Sequence, residues 1–96
     1  MIVHIVMFKF KEENKIQNIK AVVEKLNALL EKIDTLLSIE VGVDFNGSDR
    51  AFDVSLYSTF KNKEDLKIYA THPEHLKVVT LIKEVTTETK VVDYTN

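Results

Sequence analysis

Residues 2–10 of the chain read IVHIVMFKF and are almost all β-branched, aromatic or otherwise apolar, which favours a β-strand. One alternating set comprises Ile2, His4, Val6, Phe8 and Phe10, and the other comprises Val3, Ile5 and Met7. Because both sets are apolar, both faces of this strand need to be covered. The sequence therefore opens on a buried strand, with His4 near its centre.

The spacing of the apolar residues changes directly after this strand. From Ile16 to Ile33 they recur at i, i+3, i+4 and i+7 with polar residues between them, which predicts an amphipathic helix of about five turns. We expect Glu12 and Glu13 near the start of this helix and Lys32 near its end, where the helix dipole favours charges of these signs.

Strict alternation of apolar and polar residues returns in the middle of the chain. Residues 37–45 and 52–60 each predict a strand with one buried face, with Phe52 and Val54 pointing inward in the second. The polar segment 46–50, which contains Asn and Gly, is typical of a turn. The two strands therefore form a predicted hairpin.

Two short helices and a last strand are predicted in the remainder of the chain. Asn62 can cap the first short helix. Pro73 suits the first position of a second helix, which places His72 at the junction because a residue before proline avoids helical geometry. Residues 85–94 read as a strand.

The predicted element order is β-α-β-β-α-(α)-β, the ferredoxin-like arrangement of the α+β class. It predicts one domain over residues 1–96, with a four-stranded antiparallel sheet and its helices on a single face. The uncovered face then carries an apolar patch, for which we expect Val3, Ile5, Met7 and Tyr57. Apolar patches mark interfaces, so we expect a homodimer formed sheet to sheet.

Composition limits the classes of function. The 96 residues include 13 Lys and Arg against 15 Asp and Glu, a net charge of −2, so no nucleic acid partner is expected. The absence of Cys excludes disulfides, thiolate metal sites and a cysteine nucleophile. No segment predicts a targeting signal or a membrane span, so we expect a cytoplasmic protein without membrane contact.

The inward-pointing histidines are the main candidates for chemistry. His75 shares a helical stripe with Val79, and His4 points to the same side from the first strand, so both are expected beside Tyr69. In a functional site His75 is a general base and Tyr69 a hydrogen-bond donor to a substrate oxygen. The remaining predicted pocket residues are His4, Val6, Phe8, His72 and Val79. Alternatively, these side chains only pack and are satisfied by backbone carbonyls or water.

A metal site is the other alternative that histidines raise. His72 and His75 have i, i+3 spacing, and His4 could be a third ligand. However, His72 precedes Pro73 and lies outside the helical phase, so the rings need not converge. We therefore expect no metal, and no sequence motif indicates a cofactor.

Several segments together resemble the stress-responsive A/B barrel (Dabb) domain family. They are the opening His4–Phe10 strand, Ile39–Gly42 with Asp44, Ser48–Val54, Phe60, Leu66, Tyr69 with His72–His75, and Val92–Tyr94. The resemblance covers nearly the whole chain and implies a dimeric α+β barrel. In the olivetolic acid cyclase branch of this family, which closes a polyketide thioester by aldol condensation, the catalytic Tyr and His match Tyr69 and His75, and a pocket His matches His4.

The resemblance does not carry over a substrate, because residues 76–79 are Leu-Lys-Val-Val where the cyclase has a glycine-containing segment. These aliphatic side chains could fill the cavity. We therefore expect a homodimer that binds a small organic ligand in a mainly apolar pocket. The alternative is a cofactor-independent enzyme, either cyclase-like or lyase-like with His75 and Tyr69, or monooxygenase-like.

Overall fold

The computed structural model describes residues 1–96 and contains four strands and three helices. They are β1 (Ile2–Phe10), α1 (Lys15–Lys32), β2 (Ser38–Val43), β3 (Val54–Phe60), α2 (Lys63–Thr71), α3 (Pro73–Val85) and β4 (Thr86–Thr95). This order confirms the predicted ferredoxin-like α+β fold.

The sheet is antiparallel throughout, with strand order β2-β3-β1-β4. The opening strand therefore pairs on both sides, with β3 along one edge and with the last strand along the other. In this register His4 lies between Ser58 and Asp93. Two residues separated by almost the whole chain thus become neighbours.

The helices cover one face of the sheet and enclose the core. The core residues on the strands are Ile2, Phe8, Phe10, Val54, Leu56 and Phe60, and those from the rest of the chain are Val22, Leu26, Leu29, Ile33, Leu36, Tyr69, Val78, Ile82 and Val85. The strand members follow the period of two and the helix members follow the helical period, as predicted from the sequence. Burial of these side chains is the main term favouring this packing.

The junction between α2 and α3 follows from local capping. The Asn62 side chain accepts a hydrogen bond from the Asp65 N–H and begins α2. His72 then breaks the helical geometry with ψ 136°, and Pro73 is the first residue of α3. The predicted boundary at His72 is confirmed.

The start of α1 differs from the prediction. Asn14 adopts left-handed geometry with φ 53°, and the helix begins at Lys15, so its first turn contains no acidic residue. Glu12 and Glu13 therefore lie just before the helix, near its start. Lys32 does occupy the last turn.

Phe52 also differs from its predicted inward position. Its ring lies below the Lys9 ammonium, 5.7 Å from nitrogen to ring centre, on the uncovered side of the sheet. The neighbouring Asp53 carboxylate instead accepts the Phe10 N–H at 2.7 Å and pairs with Lys15 at 3.2 Å. The regular strand therefore begins only at Val54. The same contacts raise the pKa of Lys15, chiefly through the hydrogen bond to Asp53.

The uncovered face carries an apolar patch with a composition different from the predicted one. Val3 is fully buried within the single chain and contributes nothing to this patch. The register places Tyr57 and Val92 on either side of Ile5, and it places Tyr94 beside Val3. We call the set Ile5, Met7, Tyr57, Val92 and Tyr94 the outer patch. All of its members except Ile5 are exposed.

No helix in this protein combines the length and apolar character that a membrane crossing requires.

Candidate functional site

A cavity of about 410 Å³ lies between the helix-covered face of β1, helix α3 and the first half of β4. Five of the predicted pocket residues line it: His4, Val6 and Phe8 from β1, and His75 and Val79 from α3. We call it the main cavity. Its volume falls in the range of about 300–1,000 Å³ that is typical of small-molecule sites. Of residues 76–79, only Val79 lines the main cavity, so this aliphatic segment does not fill it.

His75 stands in the first turn of α3 with one ring nitrogen fixed. Its Nδ1 lies 3.0 Å from the Ala70 carbonyl oxygen, which can only accept, so Nδ1 carries the hydrogen. The neutral ring then has its lone pair on Nε2, which makes no hydrogen bond within the protein. Burial lowers the pKa of His75 below 6.5, and the nearby His4 and His72 add to this effect, while the Ala70 contact opposes it. His75 is therefore neutral at pH 7.

His4 is oriented by a carboxylate that the sequence analysis did not assign to the site. Its Nδ1 donates to Asp93 on the neighbouring strand β4, and its Nε2 makes no hydrogen bond within the protein. The His4 side chain is mostly buried, whereas that of Asp93 is partly exposed. Pairing of the first and last strands was the signal for this contact, because it sets His4 directly opposite Asp93.

Tyr69 lies behind His75 and does not line the main cavity. Its ring centre is 4.3 Å from that of His75 and 5.0 Å from that of Phe60. The hydroxyl is enclosed and has no hydrogen-bond partner. Burial raises the pKa of Tyr69 to about 12, so the phenol is protonated at neutral pH. Tyr69 thus positions His75 by ring contact and retains one unused hydrogen-bond donor.

His72, like Tyr69, is a predicted site residue that does not line the main cavity. Its Nδ1 accepts the Glu74 N–H at 3.1 Å and thereby caps α3. It does not line the main cavity, but it fixes the turn of helix that carries His75. No three His, Asp or Glu side chains come together in a way that could hold a metal ion.

The rim of the main cavity contains polar residues that the sequence analysis missed. Thr86, Thr87, Glu88 and Thr89 at the start of β4 line it together with Lys83. In the sequence these residues look like the exposed side of an edge strand. The cavity is therefore apolar at its walls, with two imidazoles on one side and hydroxyl and charged groups at the rim.

Comparison with known proteins identifies relatives over nearly the full chain. The family model of the stress responsive A/B barrel domain matches residues 2–96. A stress-response A/B barrel domain-containing protein of Arabidopsis thaliana is 39% identical over 80 residues, which are 82% of this chain and 30% of the plant protein. The present chain thus spans less than a third of the length of that relative.

Solved structures with this fold include proteins of differing description. A dimeric protein of unknown function with a ferredoxin-like fold from Bacteroides fragilis is 36% identical, with a TM-score of 0.88 over 97% of this chain and 93% of that chain. A hydroxynitrile lyase from Passiflora edulis has a TM-score of 0.86 at 21% identity, covering 97% of this chain and 90% of that chain. The second likeness is one of fold alone.

The buried neutral state of His75 predicts a loss of stability in acid. Unfolded His75 takes up a proton near pH 6.5, whereas folded His75 does so only at lower pH. The free energy of unfolding contributed by this residue therefore falls as the pH drops from about 6.5 through the lowered pKa. We expect His75→Gln to lose less stability than the wild type between pH 7.5 and 5, measured by urea unfolding. An equal loss in both proteins would contradict the assignment.

Proposed function

Because this chain belongs to the stress-responsive A/B barrel domain family, we propose that it forms a homodimer whose subunits each bind a small, mainly apolar organic molecule in the main cavity. The observation that carries this proposal is the convergence of two imidazoles on one apolar cavity. Val6, Phe8 and Val79 supply apolar walls, and His4 and His75 supply the polar groups. Few polar groups in an apolar cavity are the usual arrangement for recognising a small organic ligand.

The tautomers of the two histidines specify the chemistry of the ligand. Nδ1 of each ring is used as a donor within the protein, to Ala70 in one case and to Asp93 in the other. Nε2 of the neutral His75 ring is therefore a hydrogen-bond acceptor. A ligand that matches this site carries a hydroxyl group on a small apolar body.

A pair of probes that differ by one hydroxyl tests this recognition. We expect 1-phenylethanol to bind about fivefold more tightly than ethylbenzene, because one buried hydrogen bond contributes about 1 kcal/mol. Val79→Phe fills the main cavity and should abolish binding, whereas Leu76→Phe on the exposed side of α3 should not change it. Chemical shift titration measures the affinities. Equal binding of 1-phenylethanol by the two variants would contradict the proposal.

A second candidate function is general base catalysis, and it is favoured by the free Nε2 of His75. A neutral imidazole with its other nitrogen held by a backbone carbonyl is arranged to remove a proton from a bound substrate. The likeness to a hydroxynitrile lyase is compatible with this role, since it concerns the same fold. In this candidate function Tyr69 donates its unused hydroxyl hydrogen to the substrate oxygen, which requires the enclosed phenol to become accessible.

Hydrogen exchange at a carbon acid measures base catalysis directly. We expect the protein to accelerate deuterium uptake from D₂O at the α carbon of phenylacetone, and His75→Gln to reduce the protein-dependent rate by about 10²-fold or more. Proton NMR follows the exchange. A rate unchanged by His75→Gln would contradict base catalysis, and Tyr69→Phe would separate a donor role, which lowers the rate, from a packing role, which does not.

The homodimer is proposed to form through the outer patch. Its exposed apolar side chains lie on the uncovered face of the sheet, where a second copy would bury them. The dimeric state of the Bacteroides fragilis protein, which is 36% identical, supports the same assembly here. Burying each of these side chains contributes roughly 1.5–3 kcal/mol before the cost of association.

A charge at the centre of the outer patch should separate the subunits. We expect the wild type to be a dimer at micromolar concentration and Ile5→Glu to be a monomer, because a carboxylate would be buried without a partner. Ile68→Glu, on the exposed side of α2, is the matched control and should remain dimeric. Light scattering distinguishes the two states. A monomeric wild type, or a dimeric Ile5→Glu protein, would contradict this interface.

A further inference from the structure

A second cavity, of about 420 Å³, lies between α2 and the end of β4. Its lining residues are Ile2, Lys63, Leu66, Lys67, Asp93, Tyr94 and Thr95. None of these residues lines the main cavity, so the two spaces are separate. Ile2 is a core residue and Leu66 packs against the core, which gives the second cavity an apolar floor.

Two lysines stand over this floor without a partner in the protein. Lys63 and Lys67 are one helical turn apart on α2, and neither makes a salt bridge or a side-chain hydrogen bond. Lys15, Lys32, Lys77 and Lys90 contact carboxylates, and Lys63 and Lys67 belong to the larger set of lysines that do not. Like charges at i, i+4 destabilise a helix, and neither of the two ammonium groups forms a salt bridge.

The remaining charge in the lining is already engaged. Asp93 pairs with His4 through Oδ1, at the side of the cavity opposite the lysine-bearing helix. The lining thus contains two ammonium groups without a salt bridge and one carboxylate, whose Oδ1 accepts a hydrogen bond from His4. Lys63 is also the first residue of α2, where the helix dipole adds positive potential.

We infer that this second cavity binds an amphiphilic organic anion, whose carboxylate or phosphate lies between Lys63 and Lys67 and whose apolar part rests on Ile2 and Leu66. The anion relieves the repulsion between the two ammonium groups and forms charge-assisted hydrogen bonds with both. The apolar floor distinguishes this site from a simple ion site, because inorganic phosphate alone gains nothing from it. The inference requires neither the proposed dimer nor occupancy of the main cavity, although Tyr94 in the lining also belongs to the outer patch, so the second cavity lies at the edge of the proposed interface.

The experiment is a titration of the full chain, followed by amide chemical shifts, with four probes. Benzoate and phenyl phosphate carry both parts of the proposed ligand, benzyl alcohol lacks the charge, and inorganic phosphate lacks the apolar part. We expect benzoate, phenyl phosphate or both to shift the amides of Ile2, Leu66 and Thr95. The stronger of the two identifies the anionic group, and the other two probes should bind at least about tenfold more weakly.

A double variant and a matched control make the test specific. Lys63→Gln with Lys67→Gln removes both charges, retains long side chains and keeps good helix formers in α2, so the fold should persist. We expect it to weaken binding of the preferred anion by about tenfold or more. Lys20→Gln, on the exposed side of α1, should leave the affinity unchanged.

Three outcomes would overturn the inference. They are an affinity that the double variant does not change, shifts confined to main-cavity residues such as Val79 and Thr87, and no binding of either aromatic anion. The last result would also follow if a second subunit covered the cavity, and it would equally exclude the site in the protein as it assembles.

Discussion

Pairing of β1 with strands on both of its edges is the constraint on which the rest of the molecule depends. Because β3 and β4 flank this strand, the first and last segments of the chain become neighbours in one sheet. The Ser58 hydroxyl also donates to the His4 carbonyl at 3.1 Å, so the backbone and the ring of His4 are both held by neighbouring strands. The pairing of strands that are far apart in the sequence thus determines how the His4 imidazole is oriented in the main cavity.

Much of the fold could be predicted because its signals are local. The change from a period of two to a helical period marks α1, and Asn62 and Pro73 mark the starts of α2 and α3. Phe52 could not be placed, because the alternation that follows it gives no sign that Asp53 is taken up by the Phe10 amide. The burial of Val3 could not be predicted either, since it depends on which residues of other strands lie beside it.

In the candidate site, too, the features that depend on local signals could be predicted and those that depend on distant residues could not. Helical and strand phase were enough to bring His4 and His75 to one cavity, because each phase is a local property of its element. The role of Asp93 depends on strand register, and the enclosed hydroxyl of Tyr69 depends on how α2 packs, so neither follows from spacing. The second cavity could not be predicted either, because in the sequence Lys63 and Lys67 look like ordinary residues on the exposed face of a helix.

Helix α3 passes into β4 with no intervening loop, since the helix ends at Val85 and the strand begins at Thr86. The Thr86 hydroxyl donates to the Ile82 carbonyl at 2.7 Å, and the Val85 carbonyl accepts the Lys11 N–H at 2.9 Å, which stiffens this joint. Helix α3 and strand β4 therefore form one continuous bent element, and β4 is hydrogen-bonded to β1 in the sheet. In the ligand-binding function proposed above, this wall of the main cavity is held in place by the sheet, so a ligand would be selected by how well it fits the existing shape.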